Sequence, residues 1–190
     1  MAAQRTQEQA APESMRLSYA AAALDGQYTG ADVSFTGGTT DSRNITSGEM
    51  FIALRGTRVD GHDFLATARA RGAAAALVER AVDDPLPQLH VADAKVALGK
   101  LAALWRAQYP YPLLGLPGSN GKTTVKELLA AILSRRGSTL ATQGNLNNDI
   151  GMPLTLLRLR RAHEFAVIEM GANHPGEIAS LTRSRVPTSR

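Results

Sequence analysis

A glycine-rich run at residues 115–124, Gly-Leu-Pro-Gly-Ser-Asn-Gly-Lys-Thr-Thr, constrains the fold of this chain more than any other segment. The run starts within a short apolar segment, residues 113–116, and leads into residues 122–136, whose spacing is helical and which end before Gly137. The pattern predicts a strand, a tight turn and a helix. Backbone N–H groups of such a turn, together with the positive end of the helix, form a cradle for anions.

The residues that end this run suit the phosphates of a nucleotide. Lys122 can reach the terminal phosphates, and the Thr123 hydroxyl can ligate Mg²⁺. The spacing departs from the usual phosphate loop, because Leu116 stands where that pattern has its first glycine. A flexible loop that only caps a helix is the alternative. We favour phosphate binding, with ATP or GTP as the ligand, because Gly-Lys-Thr-Thr lies between a predicted strand and a predicted helix.

Strand and helix patterns alternate along the chain, which predicts an α/β fold with parallel sheets. The predicted strands are residues 50–54, 73–78, 89–91, 113–116, 138–142 and 165–170, and the predicted helices are residues 62–72, 94–108, 122–136 and 153–160. The segment Tyr-Pro-Tyr-Pro from Tyr109 indicates a domain boundary. We expect a small N-terminal α/β domain at residues 15–108 and, at 109–190, the first part of an incomplete parallel-sheet P-loop domain.

Composition argues against several classes of function. The 190 residues carry a formal net charge of +4 and only 5% are aromatic, so we expect no nucleic-acid partner. The absence of cysteine fits a reducing cytoplasm. No apolar run reaches the roughly 18 residues that cross a bilayer, and residues 1–14 lack the apolar core of a signal peptide and read as a disordered tail. We expect a cytoplasmic monomer without a membrane span.

Residues 117–124 closely resemble the ATP loop of the Mur ligase family, whose usual opening is Thr-Gly-Thr/Ser-Asn-Gly-Lys-Thr. Four further segments are similar to the branch of the family that adds D-Ala-D-Ala to UDP-N-acetylmuramoyl-tripeptide. They are residues 41–56, with Asp-Ser-Arg and Gly-Glu-Met-Phe-Ile-Ala-Leu-Arg-Gly; residues 60–64, Asp-Gly-His-Asp-Phe; residues 144–155, with Gly-Asn-Leu-Asn-Asn-Asp-Ile-Gly; and residues 168–178, with Glu-Met-Gly-Ala-Asn-His-Pro-Gly. The resemblance covers residues 15 to about 183, and its segments together are highly specific.

The resemblance implies ATP-dependent amide-bond formation in peptidoglycan precursor synthesis. The tripeptide carboxylate would take the γ-phosphoryl group, and the amine of D-Ala-D-Ala would displace phosphate from the acyl phosphate. The implied ATP-binding residues are Gly118, Ser119, Asn120, Gly121, Lys122, Thr123 and Thr124. Lys122 would act as the catalytic cation. Thr123 and Glu169 would share Mg²⁺, which often takes few protein ligands, although a solvated carboxylate at a strand end is the alternative for Glu169.

The resemblance also implies a set of substrate-binding residues, namely Ser42, Arg43, Asn145, Asn147, Asn148 and His174. Arg43 belongs to the expected UDP-binding region of residues 15–108, where a guanidinium suits diphosphate oxygens; a surface ion pair is the alternative. The three asparagines would lie at the substrate and ATP cleft, but asparagine is also common in turns. His174 would contact substrate or cap the following proline turn.

Two departures from the family bear on activity. Pro117 replaces the family's threonine and removes an N–H and a hydroxyl from the loop. After Arg183 the family continues with residues similar to Val/Leu-Ala-Arg-Pro-Asp-Val-Ala, and codons compatible with residues 183–190, read from the third base of the first codon, encode Val-Ala-Arg-Pro-Asp-Val-Ala. We therefore expect that a frameshift truncated the reading frame and that the 190 residues alone have little or no ligase activity.

Two other functions are compatible with the glycine-rich run alone. The chain could be a non-catalytic module that binds a nucleotide or a UDP-sugar. It could also be another P-loop phosphoryl-transfer enzyme, such as a small-molecule kinase, but such an enzyme would leave the segments at residues 60–64 and 144–151 unexplained.

Overall fold

The computed structural model of the protein describes residues 13–118 and 120–171. Its strands are β1 (Met15–Arg16), β2 (Gln27–Thr29), β3 (Ser34–Phe35), β4 (Gly38–Thr39), β5 (Met50–Ile52), β6 (Ala75–Val78), β7 (Gln88–His90), β8 (Leu113–Leu116), β9 (Thr139–Ala141) and β10 (Phe165–Glu169). Its α-helices are α1 (Leu17–Ala23), α2 (Leu65–Ala70), α3 (Ala94–Ala107), α4 (Lys122–Ser134) and α5 (Gly151–Leu156), and a 3-10 helix spans Gly61–Phe64.

The first sheet has the strand order β2-β7-β6-β5-β4. Strands β4 to β7 pair in parallel, whereas β2 pairs with β7 in the antiparallel sense. All four residues of β6 are buried, as expected for a parallel strand that is covered on both faces. The predicted strand–helix–strand unit at residues 50–78 is confirmed, because β5 and β6 are parallel and the 3-10 helix and α2 connect them.

The second sheet has the strand order β8-β10-β9, and both of its pairings are parallel. Helix α4 connects β8 to β9 and packs against β9 and β10. In the register of β10 and β8, Glu169 lies opposite Leu116. The carboxyl ends of these strands are therefore neighbours, and Glu169 lies beside the start of the glycine-rich turn. The predicted parallel sheet is confirmed.

One apolar cluster contains side chains from both of these sheets and from the antiparallel pair β1–β3, and Trp105 of α3 lies within it. The Trp105 side chain is fully buried, and its indole N–H donates to the Leu159 carbonyl at 3.2 Å. Its ring stacks on Phe35, with 6.3 Å between the ring centroids. Leu159 lies between α5 and β10, and Phe35 lies shortly before β4. The indole therefore links a segment beside the second sheet to a segment beside the first.

Three helices differ from the sequence prediction. Helix α1 was not predicted, although its Leu17, Ala20 and Ala21 are buried at helical spacing. The predicted helix at residues 62–72 is divided, because the Asp60 side chain accepts the His62 N–H at 3.0 Å and starts a 3-10 helix before α2. The predicted helix at residues 153–160 begins instead at Gly151 and ends at Leu156.

The earlier start of α5 has a local cause. The side-chain carbonyl of Asn148 accepts the Gly151 N–H at 2.7 Å, and the backbone carbonyl of Asn148 accepts the Met152 N–H at 3.0 Å. Pro153 then lies in the first turn, where its missing N–H costs no helical hydrogen bond.

Residues 1–12 of the predicted disordered tail lie outside the described residues. The adjoining Glu13 is described, and its carboxylate accepts the Arg161 N–H at 2.8 Å.

Candidate nucleotide-binding site

The glycine-rich turn connects β8 to α4 and relies on two glycines with positive φ. Gly118 has φ of +139° and Gly121 has φ of +75°. Residues with a Cβ rarely adopt these conformations, so glycine is required for the chain to reverse within so few residues. Helix α4 begins directly after Gly121, and the first N–H groups of a helix have no partner within the helix itself. These groups are available to an anion at the mouth of the turn.

Lys122 is the first residue of α4, and its ammonium group folds back over the turn. The Lys122 Nζ donates to the Gly118 carbonyl at 2.5 Å. Asn120 and Thr124 lie on either side of this residue, and both are exposed. Ser119, which was predicted to bind ATP, lies outside the described residues. The described part of the turn therefore presents a positive charge next to the start of a helix.

Glu169 is a buried polar side chain at this edge of the sheet. It is only 2% exposed, and a carboxylate buried to this degree needs hydrogen-bond donors. Thr123 supplies one, since its hydroxyl donates to Oε2 at 3.2 Å, and the Asn147 side-chain amide donates to Oε1 at 2.7 Å. The Glu169 backbone N–H donates to the Thr142 hydroxyl at 2.9 Å. Helix α4, strand β10 and the asparagine-rich segment of residues 144–148 thus meet at the Glu169 carboxylate.

The three predicted asparagines have different surroundings. Asn147 contacts Glu169, and its backbone carbonyl accepts the Gly171 N–H at 2.6 Å. Asn148 caps the start of α5 through its side chain. Asn145 is exposed, and its backbone carbonyl accepts the Asn147 N–H at 2.8 Å. Only Asn147 of the three therefore has a described side-chain contact with the Glu169 carboxylate.

Lys126 is a residue of this region that the sequence analysis did not single out. Its side chain is 1% exposed, and its Nζ lies 3.5 Å from the Gly144 carbonyl and 3.0 Å from Glu127 Oε1. The spacing contained a signal for it: Lys126 follows Lys122 by one helical turn and Thr123 by three residues, so the three share a helix face.

The remaining substrate-side candidates lie on the first sheet or outside the described residues. Ser42 is buried and Arg43 is exposed, both on the turn that follows β4. The Arg43 guanidinium pairs with Asp41, with 3.0 Å between Nε and Oδ1, and hydrogen bonds from the Arg43 side chain and backbone lower the pKa of Asp41 to about 2. The surface ion pair considered for Arg43 is therefore formed. His174 lies outside the described residues.

Metal ligands are sparse at the site. Within residues 13–118 and 120–171, no group of three or more His, Cys, Asp or Glu side chains could hold a metal ion. One buried carboxylate with a neighbouring hydroxyl still fits Mg²⁺, which commonly binds one or two carboxylates together with phosphate oxygens and water. The helices in the same part of the chain are too short or too polar to cross a bilayer.

In this parallel sheet, one strand leads through a glycine-rich turn into a helix, and the neighbouring strand of the sheet carries a buried carboxylate. These features define an α/β protein of the P-loop class. Two family models match most of the chain: the Mur ligase middle domain matches residues 116–188, and the model described as Mur ligase family, catalytic domain, matches residues 34–106. The chain belongs to the Mur ligase family.

Curated relatives agree with this assignment. The UDP-N-acetylmuramoyl-tripeptide–D-alanyl-D-alanine ligase of Escherichia coli K12 is 54% identical over 173 residues, which cover 90% of this chain and 38% of that protein. The ligase of the same name from Bacillus subtilis 168 is 41% identical over 155 residues, covering 80% of this chain and 34% of that protein. The chain thus spans less than two-fifths of the length of these two relatives.

Solved structures show the same fold. A crystal structure of MurF from Acinetobacter baumannii matches with a TM-score of 0.74 and 43% identity, covering 92% of this chain and 40% of that one. MurF ligase from Thermotoga maritima, solved in complex with ADP, matches with a TM-score of 0.66 and 36% identity, covering 79% of this chain and 35% of that one. The α/β arrangement of the N-terminal and middle domains of the family is therefore that of this chain.

Proposed function

We propose that this chain binds ATP at the glycine-rich turn, as part of a ligase that adds D-Ala-D-Ala to UDP-N-acetylmuramoyl-tripeptide. The observation that carries the proposal is the joint placement of the turn, Thr123 and the buried Glu169 at the carboxyl end of a parallel sheet. Ligands of such sheets bind at this edge. The ADP complex of the Thermotoga maritima relative supports a nucleotide as the ligand.

In this proposal the turn and the start of α4 hold the phosphates. Backbone N–H groups between Gly118 and Thr124 would donate to phosphate oxygens, and the helix start adds a partial positive charge. The Lys122 ammonium, which donates to the Gly118 carbonyl, is within the same turn and would pair with the terminal phosphates. Asn120 and Ser119 belong to the same proposed ATP site.

Thr123 and Glu169 would hold Mg²⁺. The metal ion supplies charge neutralisation on the phosphate oxygens when bound. Thr123 and Asn147 fix both oxygens of the Glu169 carboxylate, so that its orientation is set by the protein rather than by solvent. A carboxylate oriented in advance loses less freedom on binding a cation than a mobile one.

For the whole protein we propose a reaction in two transfers. A carboxylate oxygen of the tripeptide attacks the γ-phosphorus of ATP, and ADP leaves as the acyl phosphate forms. The amine of D-Ala-D-Ala then attacks the acyl carbon, inorganic phosphate leaves, and the amine proton passes to solvent. Lys122 would stabilise the charge that develops on the transferred phosphoryl group, and such electrostatic stabilisation is the main task of a protein in phosphoryl transfer.

The substrate side of the proposal rests on the first sheet and the segment after β9. We propose that residues 15–108 form the UDP-substrate-binding domain and residues 109–190 the first part of the ATP-binding domain, and that the protein is monomeric. The proposed substrate contacts are Ser42, Arg43, Asn145, Asn147, Asn148 and His174. Arg43 would have to exchange its pairing with Asp41 for diphosphate oxygens.

Nucleotide binding is the part of this function that we assign to these 190 residues by themselves. The chain spans 38% of the Escherichia coli relative, and we expect little or no ligation from this portion alone. Sustained amide formation from UDP-N-acetylmuramoyl-tripeptide, D-Ala-D-Ala and ATP by the purified chain would contradict that expectation.

Calorimetric titration of ADP with Mg²⁺ tests the proposal directly. We expect saturable binding to the chain, and we expect Lys122→Ala to weaken it about tenfold or more, since hydrogen bonds to charged groups contribute ~1.5–3 kcal/mol. Lys100→Ala is the matched control, because it removes an exposed lysine of α3 that pairs with Asp25. Absence of binding to the chain, or equal affinities of the chain and Lys122→Ala, would refute the assignment.

A further inference from the structure

Helix α4 buries a lysine and exposes its apolar side chains. Of its thirteen residues, all of which are described, only Lys126 is buried, at 1% exposure. Leu128 and Ile132 are 59% and 58% exposed. The hydrophobic effect would favour the opposite arrangement, because removing leucine surface from water is favourable, whereas an ammonium group loses favourable hydration when it is buried. The burial of Lys126 therefore requires a polar explanation.

The contacts of Lys126 supply that explanation. Its Nζ lies 3.0 Å from Glu127 Oε1, which compensates its charge, and 3.5 Å from the carbonyl of Gly144. Gly144 begins the asparagine-rich segment after β9 and has φ of +53°. Lys126 thus connects the helix that starts at the phosphate loop to the first residue of that segment.

The same segment reaches the Glu169 carboxylate three residues later. The Asn147 amide donates to Glu169 Oε1 at 2.7 Å, while its backbone carbonyl accepts the Gly171 N–H at 2.6 Å. Two sets of contacts therefore connect the Glu169 carboxylate to α4. One is direct, through the Thr123 hydroxyl, and the other runs from Lys126 through residues 144–147.

We infer that Lys126 is a positioning residue of the nucleotide site: its buried ammonium holds residues 144–147 so that Asn147 keeps the Glu169 carboxylate oriented for a divalent cation. Its 1% exposure leaves no surface for contact with a diffusing ligand, which separates its role from that of Lys122. The inference rests on the proposed nucleotide and Mg²⁺ site.

The test measures how much Mg²⁺ strengthens ADP binding. Dissociation constants are determined by calorimetry for the 190-residue chain with Mg²⁺ and with EDTA, and their ratio gives the gain from the cation. Lys126→Met keeps most of the aliphatic stem and removes the charge. We expect it to reduce the gain by about fivefold or more, the usual lower end of coupling between two sites, with the affinity in EDTA changed by less than about twofold.

Two further variants separate positioning from a general loss of structure. Lys100→Met, on the exposed side of α3, is the matched control and should keep the full gain. Asn147→Ala should reduce the gain as Lys126→Met does, and the double variant should lose little more than either single one, because both act on the same route. If Lys126→Met does not fold, the same measurement on Lys126→Gln, whose side chain is neutral and shorter and lacks the ammonium group, decides the question with the same expected loss.

The outcomes for this inference and for the proposed function differ. A folded Lys126 variant that keeps the full Mg²⁺ gain, in a chain that binds ADP, overturns the positioning role alone. Additive losses in the double variant overturn it as well, since they would mean that Lys126 acts independently of Asn147. A chain that binds no ADP, or gains nothing from Mg²⁺, overturns the proposed function and the inference with it.

Discussion

The Thr123 hydroxyl donates to Glu169 Oε2 at 3.2 Å, and the two residues are 46 positions apart in the sequence. This hydrogen bond joins the first turn of α4 to the last residue of β10. It places a hydroxyl and a carboxylate, both suitable Mg²⁺ ligands, beside the turn that carries Lys122. The candidate site depends on this contact, and the first prediction concerns its carboxylate.

We predict that Glu169→Gln removes most of the effect of Mg²⁺ on ADP binding. The amide keeps the size of the side chain and can still accept from Thr123, but it lacks the charge that attracts a divalent cation. Calorimetry with Mg²⁺ and with EDTA should show the gain reduced by about tenfold, within the usual range of coupling between sites. Glu164→Gln, at an exposed position before β10, is the control and should retain the gain. A normal gain in Glu169→Gln would exclude this residue as a metal ligand.

The second prediction concerns Pro117, at the start of the turn. Proline has no N–H, and the family's threonine would restore both an N–H and a hydroxyl. We expect Pro117→Thr to strengthen ADP binding about three- to tenfold, since a net hydrogen bond contributes ~0.5–1.5 kcal/mol. Pro117→Val restores the N–H alone, so that the two variants separate the two groups. Unchanged affinity in both would mean that neither group faces the phosphates.

The third prediction concerns the stability of the link between the two sheets. Trp105→Ala removes a fully buried indole and its hydrogen bond to the Leu159 carbonyl. We expect the free energy of unfolding to fall by about 3–5 kcal/mol, as for other large aromatic deletions in cores. Tyr19→Ala, at a side chain that is 58% exposed, is the control, with an expected change within about 0.5 kcal/mol. Similar urea midpoints for the two variants would contradict the central position of Trp105.

The fourth prediction is a pH dependence that originates at Asp60. Hydrogen bonds from the His62 backbone and then from its side chain lower the pKa of Asp60 from 3.8 to about 2. A carboxyl whose pKa is lower in the folded state stabilises the fold above its unfolded pKa, and this contribution is lost as the pH falls through the folded pKa. The difference in unfolding free energy between the chain and Asp60→Asn should therefore be constant above about pH 5 and shrink towards pH 2.

Denaturant titrations of both proteins at several pH values measure that difference. These hydrogen bonds also define the tautomer of the His62 imidazole, because its Nε2 accepts the Glu79 N–H at 2.9 Å while its Nδ1 lies 2.6 Å from Asp60 Oδ1. A difference that does not vary between pH 5 and pH 2 would show that these contacts do not bias the Asp60 carboxyl.

Much of the fold could be predicted because its signals are local. The apolar run before the glycine-rich turn predicts β8 at residues 113–116, as observed, and the helix of residues 94–108 is found at Ala94–Ala107. Helix α1 was missed, because its seven residues are mostly alanine and give a weak periodic signal. The start of α5 was misplaced because the Asn148 side chain, rather than any helix former, determines where that helix begins.

The sequence by itself determined the backbone requirements of this protein. Glycine at positions 118 and 121, with their positive φ, and the order of strand, turn and helix are properties of short segments. Only the tertiary structure decided which of three asparagines reaches Glu169, and that a lysine rather than a leucine of α4 is buried. Those outcomes depend on groups that are tens of residues apart in the sequence. Burying a polar side chain costs hydration, and only the partners that the fold brings beside it can offset that cost, so no local sequence pattern predicts the result.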